Sequence, residues 1–357
     1  MVTLLPKALT ILLTGVGAPG TKGTLYALKT NQDKVKVKII GVDMKEDVIG
    51  KYWVSKFCTV PAPESEGYID RINSICKKES VDLVIPQTTR ETATLSKSLS
   101  KVDSKVMVSD ASAIEKANNK YELMKLCKEI EIPYPEFLIA RSSQELKEGA
   151  YQLGYPGNPV VVKPQVSFGS RGFRVLREGT SWDTKRFLSE KPNSTEMSLD
   201  ELSKILERGT DFPELLVTEF LPGREYTVDA FSGEKLSVAI PRLRKEIVNG
   251  ISFRTSLEYR KDITNYSLTI AKNLGLRYAF GFQFKLDGNN VPRILECNPR
   301  VQGTMVASVF SGVNVIWMAV REAIGMPIKS IPKKLKKSEF YRFWGGIGTT
   351  GKEWNEI

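Results

Sequence analysis

Residues 279–300, AFGFQFKLDGNNVPRILECNPR, constrain this chain more than any other stretch. Two runs of alternating apolar and polar residues flank Asp287-Gly288-Asn289-Asn290, a pattern that predicts a β-hairpin. Side chains alternate faces along a strand, so Glu296, Asn298 and Arg300 share one face. Pairing across the tip is expected to set Gln283 opposite Ile294, which brings Gln283 to the face of Glu296, one step along. The oxygen-bearing side chains of Gln283, Glu296 and Asn298 then converge beside a guanidinium. Hard oxygen donors suit Mg²⁺ or Mn²⁺, ions that keep waters and bind substrate phosphates. The competing reading is a solvated polar face on an edge hairpin.

A chain of 357 residues is too long for one ordinary core and suits two or three domains. With 41% apolar and 26% charged residues it has the composition of a globular protein. No apolar run is long enough to cross a bilayer. The opening MVTLLPKALTILLTG runs straight into a glycine-rich turn, so a first buried strand is expected rather than a signal peptide. Cys58, Cys76, Cys127 and Cys297 lack metal or redox spacing and read as free thiols in a reducing cytoplasm. Histidine is absent, which excludes Ser-His and Cys-His nucleophile systems, a triad-type glutaminase among them, and any His-based metal site. The net charge of +11 would steer anionic substrates. No basic stripe interleaved with aromatics marks a nucleic-acid groove, and the cluster Lys333, Lys334, Lys336 and Lys337 reads as a solvated face.

Strand and helix signals alternate over residues 8–110, with strands expected at 9–14, 35–42, 82–86 and 105–109, a parallel α/β arrangement. Asn118-Asn119 caps a short helix reaching 130, which Pro133 and Pro135 end. Strands are expected at 159–163 and 173–176 around a glycine loop. The 187–213 segment reads as an insertion or mobile loop with one helix. Strands at 215–220, 224–231 and 236–241, a helix near 262–274, the hairpin and a last helix at 313–324 follow.

Four segments ahead of the hairpin have the chemistry of a phosphate and adenine site. Lys163 ends an apolar strand, and Gly169-Ser170-Arg171-Gly172 follows; glycines let backbone N–H groups approach phosphate oxygens. A plain turn explains that loop equally well. Glu219, Leu221 and Glu225 lie around a Leu-Pro-Gly turn that can offer backbone groups to adenine and carboxylates to its amino group and the ribose. Lys120 sits just inside the capped helix start. Arg242 and Arg244 follow a strand and repeat a cation on one face, which suits a γ-phosphate or a carboxylate, or plain exposed charge.

Taken in order, NNKYELMKLCKEIEIPYP, VVVKPQVSFGSRG, VTEFLPGREYTVDA and GFQFKLDG…RILECNPRVQG resemble the ATP-grasp superfamily, most closely its carbamoyl-phosphate-synthetase large-subunit-like branch. The resemblance covers roughly residues 8–325 and is most specific at Glu-x-Asn-Pro-Arg with its upstream Gln. It implies an α/β and α+β architecture: a Rossmann-like leading domain (1–112), a central and lid subdomain (113–212), a C-terminal subdomain with the metal site (213–330) and a tail. It implies that Lys120 and Lys163 contact ATP phosphates and that Gly169, Ser170 and Gly172 form a lid. Glu219 and Leu221 would face adenine, and Glu225 would hold the ribose. Gln283, Glu296 and Asn298 would bind two Mg²⁺ (or Mn²⁺) ions, and Arg300 would stabilise the transferring phosphoryl group. The larger synthetase carries two such units and a histidine after the hinge. This chain carries one unit, with Arg242 and Arg244 in that neighbourhood, so the two-step carbamoyl-phosphate route is not expected.

Gly15-x-Gly17-x-x-Gly20, followed by Asp43 at the end of the next strand, is on its own a dinucleotide fingerprint. Pro19 is awkward where a backbone N–H should face a pyrophosphate, and in ATP-grasp proteins the matching loop borders the acceptor side. With Thr88, Thr89, Arg90 and Glu91 it is expected to shape the substrate pocket. The expectation is a cytoplasmic ATP-grasp ligase that joins a small carboxylate to an amine through an acyl phosphate, with Lys163, Arg242 and Arg300 as catalytic cations. Carboxyphosphate-type chemistry and non-catalytic nucleotide binding stand as alternatives. Membrane and nucleic-acid partners are not expected, and a homodimer would fit the family. Arg254 and Arg260 are further candidates to clamp a carboxylate.

Overall fold

The computed structural model describes residues 6–167, 171–179, 195–326, 328, 330–332, 334–350 and 353–357. It divides into two compact units, one of Met1–Asn118, Glu225–Gln283 and Glu296–Ile357, the other of Asn119–Arg224 and Phe284–Leu295.

The first unit opens with the expected parallel sheet. Strands β1 (Ala8–Thr14), β2 (Lys36–Asp43), β3 (Lys56–Thr59), β4 (Leu83–Ile85) and β5 (Lys105–Val106) lie in the order β3-β2-β1-β4-β5. The order reverses between β1 and β4, so their carboxyl ends open the crevice where such sheets bind ligands. Helices α1 (Thr21–Lys29), α2 (Tyr68–Glu79) and α3 (Thr89–Lys97) cover the sheet. β1 and β4 are buried strands whose near-continuous apolar runs follow from this. Short α4 (Ala111–Asn118) ends this part.

The second unit begins with α5 (Lys120–Glu129). Asn119 caps it, its Oδ1 accepting from Tyr121 and Glu122 N–H. Next come β6 (Phe137–Ala140), α6 (Ser143–Gln152), β7 (Val160–Pro164), β8 (Arg174–Leu176), β9 (Glu196–Met197) and β10 (Leu215–Glu219), in the order β6-β10-β7-β8-β9. The helix expected in the 187–213 segment is Leu199–Leu206, capped by Ser198; residues 187–194 lie outside the described residues.

A six-stranded sheet carries β11 (Glu225–Ser232), β12 (Ser237–Val248), β13 (Ile251–Leu257), β14 (Tyr278–Leu286), β15 (Pro292–Asn298) and β16 (Glu339–Tyr341), in the order β15-β14-β11-β12-β13-β16. Two expectations need correction here. The strand expected to stop at Pro241 continues to Val248, so Arg242 and Arg244 are strand residues rather than residues after a strand. The turn into β13, a strand not expected from the sequence, is Asn249-Gly250, both at positive φ (50° and 76°), a local hairpin signal. The helix Lys261–Leu274 and the terminal helix Val315–Ala323 agree with expectation within a few residues. Trp317 of the latter is fully buried in the core of the first unit, where its Nε1 donates to Asp33 (2.6 Å). A last hairpin, β17 (Ile347–Thr350) and β18 (Glu353–Glu356), closes the tail.

Candidate nucleotide and metal site

The second unit holds the two lysines. Both are 6% exposed, far more buried than lysine ordinarily is. Lys120 Nζ donates to the carbonyl and the hydroxyl of Ser167 (3.3 Å each), at the entry to the glycine loop. Its backbone N–H donates to Gln165 O (3.0 Å). The cap that starts α5 therefore ties the helix to the loop after β7. Lys163 lies on β7 opposite Leu216 of β10. Gly172 has φ +74°, and a Cβ there would stand 2.7 Å from Pro164, so the loop folds back onto the strand end and only glycine fits. Gly169 and Ser170 lie outside the described residues. Glu219 ends β10 and accepts from Glu136 N–H (3.0 Å), and Leu221 is buried beyond it. At Gly223 a Cβ would meet Leu286 at 2.6 Å, which explains the Leu-Pro-Gly turn.

The hairpin tip belongs to the same unit. Asp287 takes N–H bonds from Asn289 and Val291 on Oδ1 and an Arg293 bond on Oδ2. Its own N–H donates to Val291 O (3.0 Å). That bond sets Asp287 opposite Val291 and Lys285 opposite Arg293, one residue away from the register that would put Gln283 opposite Ile294. The burial pattern of β15 compensates. The alternation breaks where Leu295 and Glu296 are both half-buried in succession, and Glu296 and Asn298 lie on the half-buried face.

The first unit holds the oxygen donors. Asn298 Nδ2 donates to Glu296 Oε1 (3.1 Å), and Arg300 Nη2 donates to Asn298 Oδ1 (3.1 Å). Arg300 Nε donates to Thr89 Oγ1 (3.3 Å), so the series runs from Glu296 into the start of α3. Burial lowers the pKa of Arg300, and the charge of Glu296 opposes that shift. Across β14, β11 and β12, Arg244 Nη1 donates to Gln283 Oε1 (3.3 Å) and to Glu225, while its Nε holds Ser252 Oγ (2.9 Å). Arg244 thus fixes a candidate metal donor and the candidate ribose carboxylate with one guanidinium. Gln302 donates to Val228 O (2.8 Å) and accepts from Thr227 Oγ1 (3.1 Å). A Cβ on Gly281 would fall 1.3 Å from its Nε2, so that glycine is required.

Among the described residues no cluster of His, Cys, Asp or Glu is large enough to hold a metal alone. One carboxylate and two amides are a lean set, and it fits an ion that takes most of its oxygens from phosphate and water, as Mg²⁺ does.

Residues 211–341 match the family model described as ATP-grasp in the biosynthetic pathway with Ter operon. Residues 11–109 match the PylC-like N-terminal domain. This chain is an ATP-grasp protein. The carbamoyl phosphate synthase large chain of Clostridium acetobutylicum is 25% identical to the ATP-grasp chain over 277 residues, 74% of this chain and 24% of that one. The Thermus thermophilus large chain is 28% identical over 249 residues, 66% and 22% respectively. The ATP-grasp chain therefore spans about a quarter of the length of the curated relatives it matches. Its fold matches N5-carboxyaminoimidazole synthetase from Staphylococcus aureus complexed with ADP (TM-score 0.69, 17% identity, 94% and 82% of the two chains). It also matches the biotin carboxylase domain of the Hydrogenobacter thermophilus 2-oxoglutarate carboxylase with MgADP and bicarbonate (TM-score 0.70, 14% identity, 98% and 83%).

Within the ATP-grasp chain, Arg242 is not placed to hold a phosphate. It is 2% exposed, and its Nε and Nη2 bind Asp229 (2.7 and 2.8 Å), itself 0% exposed. Thr255 and Thr304 take further bonds from its fork. Sequence shows a cation on a strand face, but not the aspartate that lies diagonally across on β11. Arg254 is likewise paired with Glu339, and Arg260 with Asp262. In the leading sheet, Gly17 N–H donates to Asp43 Oδ2 (2.9 Å), so the acid of the apparent dinucleotide fingerprint holds its own glycine loop. A Cβ on Gly20 would meet the backbone of Gly303 at 2.7 Å, which makes that glycine a packing residue. Glu91 is buried at the capping box of α3, bonded to Thr88 N–H and Oγ1, and burial pushes its pKa up to about 7. All four cysteines are free thiols, and among the described residues no helix is long and apolar enough to cross a membrane.

Proposed function

We propose that this chain is an ADP-forming carboxylate–amine ligase. The observation that carries the proposal is the half-buried series Glu296–Asn298–Arg300–Thr89 beside the Arg244-held pair Gln283 and Glu225. The oxygens of Glu296, Asn298 and Gln283 beside the Arg300 guanidinium suit the handling of phosphoryl charge rather than nucleophilic or acid–base chemistry. Lys120 and Lys163 hold the phosphates of ATP, Gly172 belongs to the covering loop, and Glu219, Leu221 and Glu225 hold adenosine. Gln283, Glu296 and Asn298 would hold two Mg²⁺ (or Mn²⁺) ions, whose chemistry when bound would be neutralisation of phosphate charge.

A carboxylate oxygen of the acid attacks the γ-phosphorus, and the bond to the bridging oxygen of ADP breaks. Arg300 and Lys163 carry the charge that shifts from the γ- to the β-phosphate. The amine nitrogen then attacks the acyl carbon, phosphate leaves, and the nitrogen's proton passes to the departing phosphate or to water. Exclusion of water by the glycine loop protects the acyl phosphate from hydrolysis.

Bicarbonate is the rival acid, because one fold neighbour is described in complex with it. The test is Mg²⁺-dependent ADP and phosphate release across a panel of amino acids, dipeptides, other carboxylic acids and bicarbonate, with ammonia and amines as acceptors. Release that requires one organic acid and one amine together establishes the ligase and names both. Release with bicarbonate alone replaces the proposal by carboxyphosphate chemistry. Binding of ATP with no release under any mixture removes the ligase reading.

A further inference from the structure

Three arginines of the first unit pair with carboxylates: Arg242 with Asp229, Arg244 with Glu225 and Arg321 with Asp33. Arg342, just past β16, does not. Its backbone N–H extends the sheet by donating to Phe253 O (2.7 Å). Its guanidinium turns into the unit, where Nη1 donates to Pro19 O (3.0 Å) and Nη2 to Gly303 O (2.9 Å). Nε is buried with no hydrogen-bond partner, and among the described residues no carboxylate pairs with it. Burial alone lowers its pKa, with no opposing charge to raise it.

Arg342 is half-buried, and a partly desolvated guanidinium held only by carbonyls gains when a ligand brings an anion. The position is informative too. Pro19 belongs to the glycine loop after β1, at the end of the parallel sheet where ligands bind. Gly303 lies three residues beyond Arg300, and its backbone touches Gly20. Arg342 also stands just beyond the 211–341 match, in a tail that neither family model covers.

We propose that Arg342 is a specificity-determining residue that binds a carboxylate of the acid substrate on the acceptor side. The inference rests on the ligase reading above for its substrate class, but its test does not require turnover. Two carbonyls hold the guanidinium, and Nε has no hydrogen-bond partner. An incoming carboxylate takes the Nη N–H groups that the two carbonyls leave over, the bidentate geometry that arginine supplies and lysine does not.

The experiment uses the full chain with saturating MgADP, so that anions cannot report on the nucleotide phosphate subsites. The thermal midpoints of wild type, Arg342→Gln and Arg342→Lys are followed against rising sodium acetate or sodium sulfate, at ionic strength held constant with sodium chloride. Wild type is expected to be stabilised by acetate. Arg342→Gln should weaken that response at least about 10-fold, the loss of one charge-assisted hydrogen-bonded pair. Arg342→Lys should recover only part of it. A purely structural strap would lower the midpoint of Arg342→Gln equally at every acetate concentration, and that result overturns the proposal. Equal acetate responses in wild type and both variants overturn it as well. A response to sulfate only would overturn the carboxylate assignment in favour of a phosphoryl group. Where Arg342→Gln does not fold, Arg342→Lys carries the comparison alone. Should the substrate panel find an acid, Arg342→Gln should raise the KM for that acid and leave the KM for ATP unchanged. Turnover with an unchanged acid KM would sink this inference and leave the ligase reading intact. An acetate response without any turnover would do the reverse.

Discussion

Glu91 offers a prediction that can be worked through from the structure. Its carboxyl is 4% exposed, at the capping box of α3 and beside the glycine loop, where a Cβ on Gly15 would meet its Oε2 at 2.7 Å. Burial raises its pKa from the ordinary 4.5 to about 7; hydrogen bonds from Thr88 work against the shift and the charge of Asp43 adds to it. A carboxyl with a raised folded-state pKa binds its proton more tightly in the folded chain than in the unfolded one. Its contribution to stability is therefore fully present below about pH 4.5 and is lost as pH rises through about 7. At about 1.4 kcal/mol per pH unit, the loss across that window is ~3 kcal/mol. The perturbation is Glu91→Gln, which keeps the reach of the capping box and removes the titration. The assay is urea unfolding of both proteins at pH 5, 6, 7 and 8, taken as a difference so that other titrating groups cancel. Glu91→Gln should match wild type near pH 5 and exceed it by roughly 3 kcal/mol at pH 8. Parallel stability profiles over that range would refute the argument, since they would mean that Glu91 is already ionised at pH 5 or is solvated.

Glu296→Gln and Asn298→Ala should leave the far-ultraviolet dichroism unchanged and lower kcat for ADP release at least about 100-fold; near-normal turnover in either would remove the metal assignment. Asp229→Ala leaves the Arg242 cation buried and unpaired, which should cost about 3–5 kcal/mol of stability by urea unfolding. Asp229→Ala combined with Arg242→Met should recover most of that, and failure to recover would show that Arg242 has another anionic partner. Gly281→Ala drives a methyl into Gln302 and should cost about 1–3 kcal/mol; a neutral result would show that the Gln302 bridge between β11 and the post-hairpin turn is dispensable.

Much of this protein was legible in one dimension because its signals are local. A parallel strand buried on both faces must be apolar throughout, so β1 and β4 could be read directly. Asp287-Gly288-Asn289-Asn290 must turn, because Asp287 bonds backbone groups two and four residues on. Asn119 must cap α5, because its side chain reaches the N–H groups of the next turn. The order of those local signals, ending in Glu296-x-Asn298-x-Arg300, was enough to point to the ATP-grasp fold.

What tertiary structure decided are matters of pairing between residues far apart in the chain. The turn bond from Asp287 to Val291 moved the hairpin register by a residue, yet Glu296 and Asn298 keep the half-buried face, and no periodicity reports a slip of one. Arg242 and Arg244 look alike in sequence, two cations on one strand face. Asp229 buries the first, while the second is spent on Glu225 and Gln283, so only the neighbours on the adjoining strands separate a structural ion pair from a residue that positions the site. Asp43 sits at the distance a dinucleotide fingerprint requires, but it folds back on Gly17. Arg342 shows the same limit from the other side. Its chemistry depends on Pro19 and Gly303 closing around it and on the absence of a nearby carboxylate among the described residues, and a missing counter-charge leaves no mark in a linear sequence.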